Sequence, residues 1–326
     1  MSNLSLPSPS RPKFFEAPIF HLTKSLFSFY SANTPLPAPK KFIVVVCISD
    51  THNYISSIPD GDILIHAGDL SQLGTVPELQ AQIDWLDSLP HRTKIVIGGN
   101  HDSWLDPGAR ALLDENWAAG TVDWKSLIYL QDRLCAVDVP FPDEMVTRKT
   151  TVYGSPWVPK VGGNDRYYAF QYPRFESISW WRKKVPSHTE ILVTHAPPRN
   201  YLDAAHGVTH MGCDGLLKEL WRSKPRLHVF GHIHSGRGRM VLRWDIAQAA
   251  YERACERNRW KSWGIFEVLN IFALIDLLLV LMFGTWGFVK SYTRLDRAEK
   301  RTVLVNAAMQ YDEKGNSIAP VQRFQL

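Results

Sequence analysis

Five short stretches rich in Asp, Asn and His carry the chemistry of this chain. They are Asp50-Thr51-His52, Gly68-Asp69, Gly99-Asn100-His101, Thr194-His195 and Gly231-His232-Ile233-His234. Imidazoles, carboxylates and an amide oxygen form a mixed nitrogen and oxygen donor set. Such a set suits Mn, Fe, Zn or Ni, and its oxygens admit Mg; it is unlike a soft thiolate site. The donor side chains are Asp50, His52, Asp69, Asn100, His195, His232 and His234. They are too many for one ion and fit two ions that share a carboxylate. Two ions about 3.5–4 Å apart clamp the attacking and leaving oxygens of an in-line displacement at phosphorus. Gly231 precedes the last pair and is expected to allow a tight backbone turn that a Cβ would obstruct.

Each stretch follows an apolar run, and those runs must position it. Residues 42–48, 62–66, 94–97, 191–193 and 227–230 are short and rich in β-branched residues, the pattern of buried strands. Shorter strands are expected at 127–130, 134–139 and 150–153, with further strands at 302–307 and 321–326. Residues 77–89 predict a helix with Leu79, Ile83 and Leu86 on one face and Pro77 in its first turn. Residues 174–184, 214–222 and 244–260 also have helical patterns, and Asp214 is a candidate N-cap. Strands alternating with helices, with donors at the strand ends, predict an α/β layered fold in which loops at one edge face a common crevice.

Composition narrows the class. A chain of 326 residues, 45% hydrophobic and 21% charged, can bury a large core. Its net charge of +5 is a mild excess, and no dense basic run interleaved with aromatics points to nucleic acid. Cys47, Cys135, Cys213 and Cys255 are widely spaced. They suggest neither a thiolate zinc site nor a disulfide framework, and a reducing compartment is the simpler expectation. Residues 1–12 contain Ser and Pro but no apolar core, so no signal peptide is expected and the chain is read as intracellular.

The five motifs, in this order, resemble the signature of calcineurin-like metallophosphoesterases. The stretches around them, including Asn53, Asp102 and Gly154-Ser155-Pro156-Trp157, resemble most the metallophosphoesterase domain-containing group. The resemblance covers about residues 41–238 and resumes near 302–326. It implies a four-layer α/β/β/α metallophosphoesterase sandwich that binds two divalent ions. By the same resemblance Asp50, His52 and His234 would hold one ion, and Asn100, His195 and His232 the other. Asp69 would bridge them, and His101 would act as general acid or steady charge at the leaving oxygen. A hydroxide bridging the ions would attack phosphorus, since metal binding lowers the pKa of water from 15.7 to about 7 in the strongest cases. Some relatives lacking the last histidine of this motif are poorly active, whereas His234 is present here. Asp102 is expected either to orient His101 and its loop or to cap a turn. Asn53 and Trp157 are the candidates for meeting substrate, against turn capping for the first and packing for the second. His66 and His228 read as loop or core histidines.

The implied function is hydrolysis of phosphomonoesters or phosphodiesters, with nucleotides among the candidate substrates. The alternative is a catalytically weak nucleotide-binding scaffold at a membrane. A nuclease would need a basic groove, for which the sequence offers no support.

The expected organisation is a tail with an apolar segment at 1–40, a metallophosphoesterase domain at 41–239 plus 302–326, and an inserted helical and apolar segment at 240–301. Within that insertion, 264–289 is almost wholly apolar and long enough to cross a bilayer, for which about 20 residues suffice. Basic residues flank it on both sides, which suggests that both ends face the cytoplasm. Asp276 in its middle would cost about 2.5–3.5 kcal/mol at a bilayer centre. Together these favour a shallow hairpin or an interfacial helix over a full span, with packing on the domain or in an oligomer as the other reading. Gly284 and Gly287 would serve a turn or close packing. The spacing leaves oligomeric state open.

Overall fold

Short apolar runs become strands here because each is covered on both faces. The computed structural model describes residues 17–33, 42–140, 147–160, 168–205, 209–259, 263–293, 300–310, 317 and 319–326. The proline-rich stretch 35–39 and the basic residues Lys261, Arg294 and Arg297 lie outside them. One sheet contains β1 (Val44–Ile48), β2 (Ile63–Ala67), β3 (Thr93–Ile97), β4 (Ile128–Tyr129) and the C-terminal β11 (Gln322–Gln325), in the order β11-β1-β2-β3-β4. The second contains β5 (Arg133–Pro140), β6 (Thr147–Ser155), β7 (Ile191–Thr194), β8 (Leu227–Phe230), β9 (Gly238–Leu242) and β10 (Thr302–Asn306), in the order β9-β10-β8-β7-β6-β5. β1 to β4 are mutually parallel, as are β6, β7, β8 and β10.

Strand alternation divides the core into three layers. Ile63, Ile65 and Ala67 of β2 meet Leu227 and Val229 of β8 between the sheets. Leu64 of β2 turns outward to Leu79, Ile83 and Leu86 of helix α2 (Val76–Ser88). Leu192 and Phe230 of the second sheet turn outward to Leu216 and Leu220 of α3 (Asp214–Ser223) and to Ala250 and Tyr251 of α4 (Ile246–Arg257). The stack is therefore helix, sheet, sheet, helix, as the resemblance implies.

Helix α2 starts as its sequence allows. Thr75 and Glu78 form a reciprocal capping box, with Pro77 in the first turn. Elsewhere local pattern misleads. The α3 cap is Cys213, whose Sγ accepts from the Leu216 amide, so Asp214 is the first helical residue and not the cap. The stretch 174–184 forms only a 3₁₀ turn at Arg174–Glu176 and a short helix at Ser177–Trp181. Pattern also leaves open which sheet each late strand joins: 302–306 pairs with β8 and β9, and β11 is the C-terminal partner of β1. No pattern announces β9, an edge strand pulled into register by β10. All four cysteines are free.

The apolar segment is a 3₁₀ stretch, Gly264–Leu269, followed by one unbroken helix, α5 (Ile271–Thr293). It does not turn back on itself. A Cβ at Gly284 would lie 2.5 Å from the Tyr30 ring, and one at Gly287 would meet the Arg243 guanidinium. Both glycines thus serve close packing. Tyr30 belongs to helix α1 (Pro18–Asn33), which with α4 holds one side of α5 against the domain. Phe27 of α1 stacks on Tyr251 of α4 with ring centroids 4.1 Å apart.

Candidate metal centre

The donor residues all follow the C-terminal ends of strands. Asp50 and His52 follow β1, Asp69 follows β2, and Asn100 and His101 follow β3. His195 follows β7, and His232 and His234 follow β8. The two sheets face each other, so two sets of loops meet over one crevice. Backbone bonds join neighbouring loops: Asp50 N–H donates to Gly68 O (2.9 Å), and Gly231 N–H to His195 O (3.1 Å).

These loops are strained where they carry donors. Asp50, His52, Asn53, Asp69 and His232 all have φ between +45° and +71°. Non-glycine residues rarely adopt that region, and such outliers concentrate at functional sites. The glycines beside them permit contact. A Cβ at Gly231 would lie 2.0 Å from Asp50 Oδ2, so this glycine is needed for close approach of the carboxylate; the left-handed turn belongs to His232.

Three overlapping groups of side chains result: Asp50, His52 and His234; His52, Asp69 and His101; and Asp69, His195 and His232. Within each, the ligand atoms lie within 4.8 Å of one another. Asp69 stands in the middle, its Oδ2 3.2 Å from His195 Nε2 and 3.9 Å from His52 Nε2. Asp50 Oδ1 is 3.3 Å from His234 Nε2, and the His232 amide donates to both Asp50 oxygens at 3.0 Å. Asn100 Oδ1 is 3.1 Å from His195 Nε2. All seven predicted donors therefore converge.

The arrangement fits a cation. His195 Nδ1 donates to Ala67 O at 2.8 Å, so a neutral His195 turns an acceptor nitrogen toward Asn100 Oδ1 and Asp69 Oδ2. Three acceptors facing one another need positive charge among them, from a proton or a metal ion. Titration reflects the same demand. Burial would lower the His195 pKa, but the Asp69 charge and hydrogen bond raise it to about 9. Burial would raise Asp50, yet its hydrogen bond to His234 and the His195 charge hold it at about 2. Asp69 is driven lower still against its burial, first by the His195 charge. Burial and the His195 charge lower His232 to about 4, and burial lowers His52.

His101 stands at the rim. Its Nδ1 donates to Gln72 O (2.9 Å) and its amide to Asp69 Oδ1 (2.8 Å). Its ring centroid is 4.8 Å from that of His52 on one side and 5.0 Å from that of Tyr168 on the other. Asp102 does not contact the His101 ring through its carboxylate, which instead accepts from the amides of Leu70, Ser71 and Gly99 and from Ser71 Oγ. It ties the second motif's loop to the third. Its burial, with the Asp69 charge nearby, raises its pKa to about 6.

The Asn53 side-chain amide donates to Glu78 Oε1 in the first turn of α2 (2.7 Å), and its backbone N–H donates to Leu70 O (2.9 Å), so it ties the first motif's loop to the second and to α2 and does not cap its own turn. Trp157 donates to Asp132 Oδ2 and packs against Phe170 and Trp180. Three contributors are not legible in the motifs. Tyr168 reaches His101 from a distant loop. His66 and His228 face outward from their strands and bond the threonines beside the ligand loops: His66 Nε2 is 2.9 Å from Thr51 Oγ1, and His228 Nε2 is 2.8 Å from Thr194 Oγ1. Burial holds both rings neutral, with pKa about 3. A histidine inside an apolar strand, one strand from a motif threonine, is the only sequence signal for such a support.

Comparison with known proteins agrees with this geometry. A family model described as calcineurin-like phosphoesterase matches residues 43–236. The chain is 37% identical over 224 residues to human metallophosphoesterase domain-containing protein 1, a match covering 63% of this chain and 64% of that protein. It is 35% identical over 216 residues to a UPF0046 protein of Caenorhabditis elegans, covering 63% and 68%. A protein of Emericella nidulans named probable rhamnogalacturonate lyase C is 41% identical over 299 residues, covering 91% of this chain and 26% of that protein. The chain thus spans about a quarter of the Emericella protein's length and just under two thirds of the human protein's.

Proposed function

The chain belongs to the calcineurin-like phosphoesterase family, and from that premise we propose that it hydrolyses phosphoesters with two divalent ions. The observation that carries this reading is Asp69, one carboxylate standing between two groups of donors. Asp50, His52 and His234 would hold one ion; Asn100, His195 and His232 the other; Asp69 would serve both. Divalent ions held there supply Lewis acidity toward a phosphoryl oxygen and activate water. The chain's own groups do the rest. Asp50 is fixed by the His232 amide, and His195 by Ala67 O, so neither ring nor carboxylate must reorganise when substrate arrives. His101, with Nδ1 bonded to Gln72 O, is left with Nε2 free to hand a proton to the departing oxygen.

With Mn²⁺ added, an aryl phosphodiester is expected to turn over, and chelation to stop it. His101→Ala should lower kcat by about 10²-fold, the lower end for a general acid, because an aryl leaving oxygen needs little help from a proton. Metal retained by the protein without turnover of any aryl mono- or diester would instead favour a binding scaffold.

The same chain would rest on a membrane surface. Among the described residues, Ile271–Thr293 is the one helix long and apolar enough to cross a membrane. Its acidic neighbours point inward. Glu267, fully buried, accepts from the amides of Ile19 and Phe20 at the start of α1. Asp276, 2% exposed, pairs with Arg253 and Arg257. The outer side carries Phe266, Leu269, Phe272, Leu278, Met282 and Trp286, each more than half exposed, and no charge from 271 to 289. Lys290 lies over the Trp286 ring, a pairing suited to a headgroup layer. Because α1 and α4 pack along the inner side, the helix would lie in the interface and not span it.

The full chain is therefore expected to float with anionic phospholipid vesicles. Replacing Phe272, Leu278, Met282 and Trp286 by Ser should weaken this more than about tenfold, since about 1.4 kcal/mol of lost apolar transfer suffices. Doubling of the mass with no vesicle binding would assign the face to a second copy. Removal of 262–290 is not a clean test, since it would uncover Val280's neighbours Phe27 and Tyr251.

A further inference from the structure

We propose that the cleft beside His101 receives the leaving side of the substrate, and that this side is an uncharged aromatic group. The inference rests on the phosphoesterase reading and names the substrate class for that site. A cleft of about 450 Å³ opens at His101, a size ordinary for small-molecule sites. Four large apolar side chains line it while remaining substantially exposed: Leu73, Leu112, Trp117 and Tyr168. Exposed apolar side chains are common singly, but several converging on one concavity mark a binding surface.

Position and charge then narrow the occupant. His101 stands between the donor cluster and the cleft, with His52 against one side of its ring and Tyr168 against the other. An ester oxygen that takes its proton from His101 Nε2 must carry its organic group away from the donors, and Tyr168 and Trp117 lie on that side. An aromatic group would meet these rings at offset or edge-on geometry. Asp114 is the one acidic group on the lining, and no Lys or Arg joins it among the described residues. A further phosphate or a carboxylate on the leaving group would thus be repelled by Asp114. The cleft favours an ester of a single phosphate on a neutral ring over a polyphosphate or a nucleic-acid strand.

The test uses the full Mn²⁺-loaded protein and three monoesters whose phenols have similar acidity: 2-naphthyl, phenyl and 4-carboxyphenyl phosphate. In the wild type kcat/KM should fall in that order, by about tenfold at each step. Trp117→Ala with Tyr168→Ala should erase the naphthyl preference, the ratio of kcat/KM for naphthyl over phenyl phosphate falling from about ten to about one. Asp114→Lys should gain about tenfold on 4-carboxyphenyl phosphate relative to phenyl phosphate, a gain that misfolding cannot produce. Asp114 makes no side-chain cap bond to the helix it precedes, so this change removes no cap. Equal turnover of the three esters, or a preference that survives the substitutions, overturns the inference while leaving the hydrolase reading intact. Turnover of none of them excludes monoesterase activity and leaves the hydrolase reading to the aryl phosphodiester. Binding of naphthyl phosphonate then decides the cleft: affinity at least about tenfold weaker in the Trp117/Tyr168 variant supports it, and equal affinity overturns it.

Discussion

Asp69→Asn is expected to lower Mn²⁺-dependent hydrolysis by about 10³-fold or more, the upper range for losing one electrostatic stabiliser at a reacting group. Two dications held about 3.5–4 Å apart repel each other strongly and need an anion between them. In the proposed centre Asp69 would be that anion; it lies 3.2 Å from His195 Nε2 and 3.9 Å from His52 Nε2. Asparagine keeps the shape and the oxygen that accepts the His101 amide, so the loop stays in place while the charge is lost. Bound metal, measured by mass spectrometry after gel filtration, should fall from two equivalents to one or fewer. Retention of two equivalents and wild-type turnover would remove Asp69 from the proposed centre. A far-UV spectrum and melting temperature like those of the wild type would show that the loss is local.

Asp276→Ala is expected to destabilise the protein by about 3 kcal/mol. Removing one partner of a buried ion pair costs about 3–5 kcal/mol because the opposite charge stays behind. Asp276 is 2% exposed, with Arg253 at 2.7 Å and Arg257 on its other oxygen. Arg257 would remain in a mostly buried place, while half-exposed Arg253 can turn to water, which moves the effect to the lower end. At roughly 2–4 °C per kcal/mol for a domain of this size class, the midpoint should drop by about 6–12 °C. Hydrolysis below the melting range should not change, since none of these three residues contacts the donor cluster through the bonds that hold α5. A midpoint within 1 °C of the wild type would mean that the pair contributes nothing to docking α5 on α4.

The two predictions divide along a line that runs through the whole molecule. The donors were legible because each is welded to a strand end by adjacency in the chain. A β-branched run such as 44–48 can only be a buried strand, and the polar residues after it can only lie at a sheet edge. Hence Asp50, His52, Asp69, Asn100, His195, His232 and His234, the helix 76–88 and the layered α/β class follow from local pattern. What two strands do to each other is not local. The assignment of 302–306 to the second sheet depends on pairing with 227–230 and 238–242, across a long insertion.

Orientation was decided in the same way. A helix apolar on every side has no periodicity that selects its buried face. Tertiary packing selected it for α5: Gly284 admits Tyr30, Gly287 admits Arg243, and Asp276 meets two arginines, so the uncharged side is left outward. The His101 cleft is likewise assembled from Leu73, Leu112, Trp117 and Tyr168, which no spacing rule connects. By itself the sequence determined which side chains could offer donor atoms to a metal and on which strand ends they sit, because short covalent distance enforces both. Only the tertiary structure decided what those atoms face, which charges are neutralised inside and which apolar surface remains outside, because each depends on contacts between residues far apart in the chain.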